Sequence, residues 1–166
     1  VEKKLAGTLK EDFDKIFATG NFPHLKHFLE EHNLIHFMRD AKGNTVLHLM
    51  AGHFVPKNLY PLINEGLDVM AENDLGETPL HCACKTHCLS NVELLIHSGA
   101  DIHALDYLGN TPLHIAAMNG RDSLVNFFTG LGMELTQKNK NGATPIDLAV
   151  ANEHFEIAAR YSEKIA

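Results

Sequence analysis

A glycine recurs every 33 residues along this chain, at Gly43, Gly76, Gly109 and Gly142. Its neighbours recur with it: Gly-Asn-Thr-Val-Leu-His at 43–48, Gly-Glu-Thr-Pro-Leu-His at 76–81, Gly-Asn-Thr-Pro-Leu-His at 109–114 and Gly-Ala-Thr-Pro-Ile-Asp at 142–147. A second glycine series keeps the same period at Gly66, Gly99 and Gly132. A fixed period of this length builds small units that bury their apolar faces against the units on either side. The product is an extended surface suited to holding a partner.

One copy, 106–138, shows what each position does. Asp106-Tyr107-Leu108-Gly109 reads as a turn, with Gly109 supplying a positive φ that other residues reach only at a cost. Thr111 is suited to cap a helix and Pro112 to occupy its first position, where a missing N–H is no loss. A first helix then carries Leu113, Ile115, Ala116 and Ala117 and breaks at Gly120. Leu124, Val125, Phe127 and Phe128 lie on a helical stripe of a second helix, which Gly132 ends. An extended stretch, 133–138, leads into the next turn.

The Thr-Pro-Leu-His turn followed by small residues, with a Leu-Leu ending and Gly-Ala-Asp, resembles the ankyrin repeat. Residues 76–102 carry that pattern almost throughout: Thr78-Pro79-Leu80-His81, Ala83, Val92, Leu94-Leu95 and Gly99-Ala100-Asp101. The resemblance implies an all-α solenoid of stacked helix-turn-helix units with short hairpin-like loops. Its copies span 40–72, 73–105 and 106–138. A degenerate capping repeat at 1–39 and a shortened one at 139–166 complete a single domain. It also implies that His48, His81 and His114 are structural, bracing adjacent repeats through the Thr-Pro-Leu-His turn.

The ends read as caps. Leu9, Phe13, Ile16 and Phe17 fit one helical face, Gly20 follows, and Leu25, Phe28 and Leu29 form a second stripe. At the other end Asp147 replaces the usual histidine, and the last helix mixes Phe155, Ile157 and Tyr161 with charges, including Glu156 and Arg160 at i,i+4 spacing. Copy 40–72 departs most: Val46 replaces the helix-initiating proline, His53-Phe54 fills the interhelical glycine region, and Pro61 falls in the second helix. A proline inside a helix costs about 3 kcal/mol. We therefore expect a longer loop at 52–57 and a shortened helix starting near Asn58, with Pro61 in its first turn.

Composition excludes several functions. The net charge is −7 with the 12 histidines neutral, and +5 with all of them charged. The acidic balance argues against nucleic acid. No apolar run approaches membrane-spanning length, so membrane insertion is not expected. The chain starts at Val1, which raises the expectation that it is part of a longer polypeptide whose other domains are partners. Cys82, Cys84 and Cys88 crowd one helix-sized window, which suits a reducing, cytoplasmic location better than a disulfide framework.

Two clusters contain metal-ligand types. Cys84 and Cys88 with His81, Cys82 and His87 form one; His24, His27, His32 and His36 beside Glu30 and Glu31 form the other. Packing explains the first, because Cys82 and Cys84 align with Ile115 and Ala117. No metal or cofactor is expected, and a metal-binding module is kept as an alternative. No phosphate loop, zinc-protease signature, nucleophile elbow or dinucleotide fingerprint is present, so no catalysis is expected. The ankyrin resemblance further implies a possible substrate of an intracellular asparaginyl and histidinyl hydroxylase, with His103 at the target position after Leu95.

By the same resemblance, hairpin tips and the outer side of each first helix line a concave groove that binds another protein. Carried over, those positions are Ala41, Lys42, Asn44 and His53; Asp74, Leu75, Glu77, Lys85 and Thr86; Tyr107, Leu108, Asn110, Met118 and Asn119; and Lys140, Asn141 and Asn152. Leu75, Tyr107, Leu108 and Met118 are apolar among polar neighbours, an arrangement suited to a binding hot spot. The expected function is a non-catalytic protein-interaction module, with a regulatory or targeting arm of a larger protein as the alternative.

Overall fold

The computed structural model describes residues 11–13, 15–16, 19, 22–31, 38–52 and 59–165. The chain divides into two compact units, Val1–Met38 and Arg39–Ala166. In the first, residues 11–13 and 15–16 are helical and helix α1 runs Phe22–Glu31. Phe13, Leu25, Phe28 and Leu29 are buried there, as their spacing predicts. Leu9, Phe17 and Gly20 lie outside the described residues.

The second unit contains α2 (Val46–Ala51), α3 (Leu59–Asn64), α4 (Pro79–Ala83), α5 (Leu89–His97), α6 (Pro112–Met118), α7 (Asp122–Gly130), α8 (Pro145–Ala151) and α9 (Phe155–Ile165). Close helix contacts run within a copy (α2 with α3, α4 with α5, α6 with α7, α8 with α9) or to the next copy (α2 with α4, α3 with α5, α4 with α6, α6 with α8). None of these closely packed pairs skips a copy. Stability is therefore built from units and their nearest-neighbour interfaces. Leu47, Leu59, Leu62, Leu80, Leu95, Leu113, Leu124 and Phe128 form the buried seam. Among the described residues β pairing is confined to one isolated bridge, Arg39 to Thr45. The fold is all-α.

Each first helix is started by a threonine. Thr45, Thr78, Thr111 and Thr144 hold extended backbone at the N-cap, and proline occupies the helix start in the last three. Val46 still begins α2 because the Thr45 cap supplies the start without proline. Helix α3 has six residues against nine in α5 and α7, with Pro61 in its third position as expected. His53 and the rest of the expected 52–57 loop beyond Gly52 lie outside the described residues. Gly120 breaks the copy at φ 69°, and Glu153 one period later takes the same left-handed conformation at φ 66°. Arg160 reaches Asp122 of the preceding copy, so its partner is not the Glu156 suggested by i,i+4 spacing.

Candidate functional site

The turn tips are built by one side chain acting twice. Oδ1 of Asp40 accepts the amides of Lys42 and Asn44, and Asn73, Asp106 and Asn139 repeat this with residues two and four ahead. The four recurring glycines close the turns at φ 72–78°. Adjacent tips are then joined by backbone: the Asp74 amide donates to Lys42 O at 3.0 Å, Tyr107 to Leu75 O at 2.9 Å and Lys140 to Leu108 O at 3.0 Å. Lys42, Asp74, Leu75, Tyr107, Leu108, Lys140 and Asn141 thereby form one continuous exposed ribbon across four copies.

Leu75, Tyr107 and Leu108 are 57%, 58% and 57% exposed, which is high for large apolar side chains on adjoining turns. The Tyr107 ring lies flat enough against Gly76 that a Cβ there would meet it at 2.3 Å. Tyr107 is thus partly committed to its neighbouring tip, and the leucines are freer. Lys140 similarly lays its stem on Gly109, and its Nζ donates to Tyr107 O at 2.9 Å. An open depression of about 740 Å³ beside the tips is lined by Asp68, Met70, Glu72, Asp74, Tyr107 and Arg39.

Several residues expected on the groove lie elsewhere. Glu77 and Asn110 are buried, which corrects their assignment to the exposed surface. Glu77 accepts from Asn73 Nδ2 at 3.0 Å and pairs with Lys85 Nζ at 2.6 Å, so Lys85 is occupied as its counter-ion. Burial alone would raise the Glu77 carboxyl; the bonds from Lys85 and Asn73 outweigh it and hold the group below the usual range. Asn110 donates to Asp106 Oδ2 and accepts from Asn139 Nδ2 at 2.8 Å. Asn44 is half-buried and bonds Asn73 in the same way. Thr86, Met118 and Asn119 are half-buried, the last bonded to Ile115 O of its own helix. These amide bonds between copies, 29 residues apart, were missed because a polar residue at a variable position reads as surface. The signal was present: Asn44 and Asn110 each stand 29 residues before another asparagine, Asn73 and Asn139.

The three histidines of the turns carry the interfaces. Nδ1 of His48 accepts the Thr45 amide at 3.2 Å, and Nδ1 of His81 accepts that of Thr78 at 3.1 Å. That fixes the proton on Nε2, which donates to Glu77 O at 2.8 Å from His48 and to Asn110 O at 3.0 Å from His81. His114 repeats the first bond with Thr111, but its buried Nε2 faces the carbonyls of Ala143 and Gln137 without a well-formed hydrogen bond. Burial holds all three rings below the ordinary histidine range, with neighbouring carbonyls opposing it. Asp147 caps Thr144 with its carboxylate instead, accepting its amide at 2.8 Å.

The possible metal ligands are otherwise engaged or scattered. Both ring nitrogens of His81 are used, Cys84 is fully enclosed with its thiol raised by burial, and burial pushes Cys82 up to about 12. His87 contacts the Arg121 guanidinium, which also donates to Lys85 O at 2.6 Å. In the first unit His27 stands 4.0 Å from Glu31, and His32 and His36 are outside the described residues. Among the described residues no three His, Cys, Asp or Glu side chains are grouped to hold an ion. His103 is exposed, in the turn after α5. No described helix is long and apolar enough to cross a membrane.

The family model for ankyrin repeats in many copies matches residues 80–129, from α4 of one copy into α7 of the next. No curated protein matches the chain.

Proposed function

We propose that this chain of ankyrin repeats is a non-catalytic module that docks a segment of another protein on its turn tips. Ankyrin repeats generally serve protein–protein interaction, and that generality supports the reading. The observation that carries it is the run of three large apolar side chains, each more than half exposed, on tips tied together by backbone hydrogen bonds. Such a run has a fixed geometry before any partner arrives, which lowers the ordering cost of binding. Leu75 and Leu108 are the anchors, Tyr107 offers its outer face, and Lys42, Asp74, Lys140 and Asn141 form the polar rim. The free thiols suit a reducing compartment.

Capture of partners from lysate by the intact chain, by Leu75→Ser/Leu108→Ser and by Tyr60→Ser tests this. Tyr60, 58% exposed and off the tips, is the control. Proteins lost with the tip variant and kept with Tyr60→Ser support the reading. Proteins kept by the tip variant contradict it.

A further inference from the structure

Resting on that docking reading, we infer that the tips accept an extended acidic–apolar peptide segment, with apolar residues three apart and a carboxylate three residues beyond. One turn position recurs once per copy as Lys42, Leu75, Leu108 and Asn141, with Lys140 beside the last. Across four copies that position therefore reads cation, apolar, apolar, amide, and Lys140, one residue before Asn141, supplies the cation at the fourth tip. Helices in contact lie about 8–10 Å apart. An extended chain rises about 3.3 Å per residue, so one copy corresponds to roughly three peptide residues. The partner pattern is apolar-x-x-apolar-x-x-carboxylate, with a second carboxylate three residues before the first apolar position.

The two cations are not equivalent. Lys140 spends one of its three donors on Tyr107 O, and two remain. Lys42 is exposed, but Asp74 stands at the adjoining tip with its carboxylate against Gly43, which offsets attraction at that end. Lys85 is neutralised by Glu77, and Arg39 is held by the carbonyls of Gly43 and Glu72. Asp68 and Glu72 line the depression next to the tips. The chain as a whole carries −7, so general electrostatics favours a basic partner and this inference predicts the opposite at the ribbon. Lys140 dominates.

Fluorescence anisotropy with labelled ten-residue peptides tests it: leucine at positions 4 and 7, serine elsewhere, and either glutamate or lysine at positions 1 and 10. Exposed ion pairs are individually weak, so the glutamate peptide is expected to bind about fivefold tighter than the lysine peptide. Lys140→Met, which keeps the stem over Gly109, removes most of that preference, and Lys42→Met removes less. Moving the second leucine to position 9 weakens binding. Equal or tighter binding of the lysine peptide, or a preference unchanged in Lys140→Met, overturns the inference. If both peptides bind alike and Leu75→Ser/Leu108→Ser abolishes binding, the docking reading stands and the charge register falls. Failure of every peptide to bind also overturns the inference, while the partner-capture experiment decides the docking reading separately.

Discussion

Replacing His81 by leucine and, separately, His114 by leucine gives two different answers from one chemical change. Both rings are fully buried and both accept a threonine amide at Nδ1. In His81→Leu the Thr78 amide is orphaned inside the stack, at about 1–3 kcal/mol, and the Nε2 bond to Asn110 O is lost, at about 0.5–1.5 kcal/mol. Asn110 O keeps the Asp106 amide as a donor, so no second orphan is added. The expected loss is about 2–4 kcal/mol. His114→Leu orphans the Thr111 amide equally, yet it also removes an Nε2 that lacks a well-formed partner and already carries a comparable burial penalty. The two effects offset, and the expected loss is about 0–1 kcal/mol. Urea unfolding followed by circular dichroism measures both, and the midpoint of His81→Leu is expected to fall well below that of His114→Leu. Equal destabilisation, or a larger loss in His114→Leu, refutes the assignment of the interface bonds.

Three further outcomes follow from the same geometry. His48, His81 and His114 sit below the free histidine value of about 6.5, so the unfolded chain takes up protons first as pH falls. Their contribution is full above that value and declines as pH drops through it toward the lower folded values; the urea midpoint is expected to be lower at pH 5.5 than at 7.5, and equal midpoints contradict this. Glu153→Gly relieves a left-handed residue at about 1–2 kcal/mol and gives back about 0.5–1 kcal/mol to unfolded-state freedom, for a net gain near 0.5–1 kcal/mol. Gly120→Ala is expected to destabilise, since its Cβ would meet the His154 ring at 2.7 Å; a stabilised Gly120→Ala or a weakened Glu153→Gly in thermal melts argues against the strain. Thiol titration of the native protein is expected to label Cys88 first, Cys82 slowly and Cys84 only on unfolding; prompt reaction of all three contradicts the packing assigned to Cys84.

The fold was largely legible because each repeat states its own punctuation. Glycine at 43, 76, 109 and 142, threonine two residues on and, in the last three copies, proline after it fix turn, cap and helix start by local rules alone. The shortened α3 could be read because Pro61 tolerates a helix only in its first turn. What escaped depends on contacts between copies. Asn110 looks like a variable surface residue in one unit and becomes an interior group when the next unit supplies Asn139 beside it, whereas Glu77 is held by Asn73 and Lys85 of its own copy. Arg121 and Arg160 escaped for the same reason, since their partners Lys85 and Asp122 are 36 and 38 residues away. The exposed ribbon was half legible: Leu75, Tyr107 and Leu108 stand out as apolar at polar positions, while the sequence alone leaves open whether Tyr107 and Leu108 fold back onto the neighbouring tip, and the Tyr107 ring does seat on Gly76.

Double-mutant cycles test the nearest-neighbour stack most directly. Asn44→Ala with Asn73→Ala, and Asn110→Ala with Asn139→Ala, each remove a 2.8 Å amide bond between adjoining copies. Each pair is expected to show a coupling of about 0.5–1.5 kcal/mol, whereas Asn44→Ala with Asn139→Ala, three copies apart, is expected to add within about 0.5 kcal/mol. Coupling across that distant pair as large as in the neighbouring pairs would mean a single shared core and would contradict a stack of units.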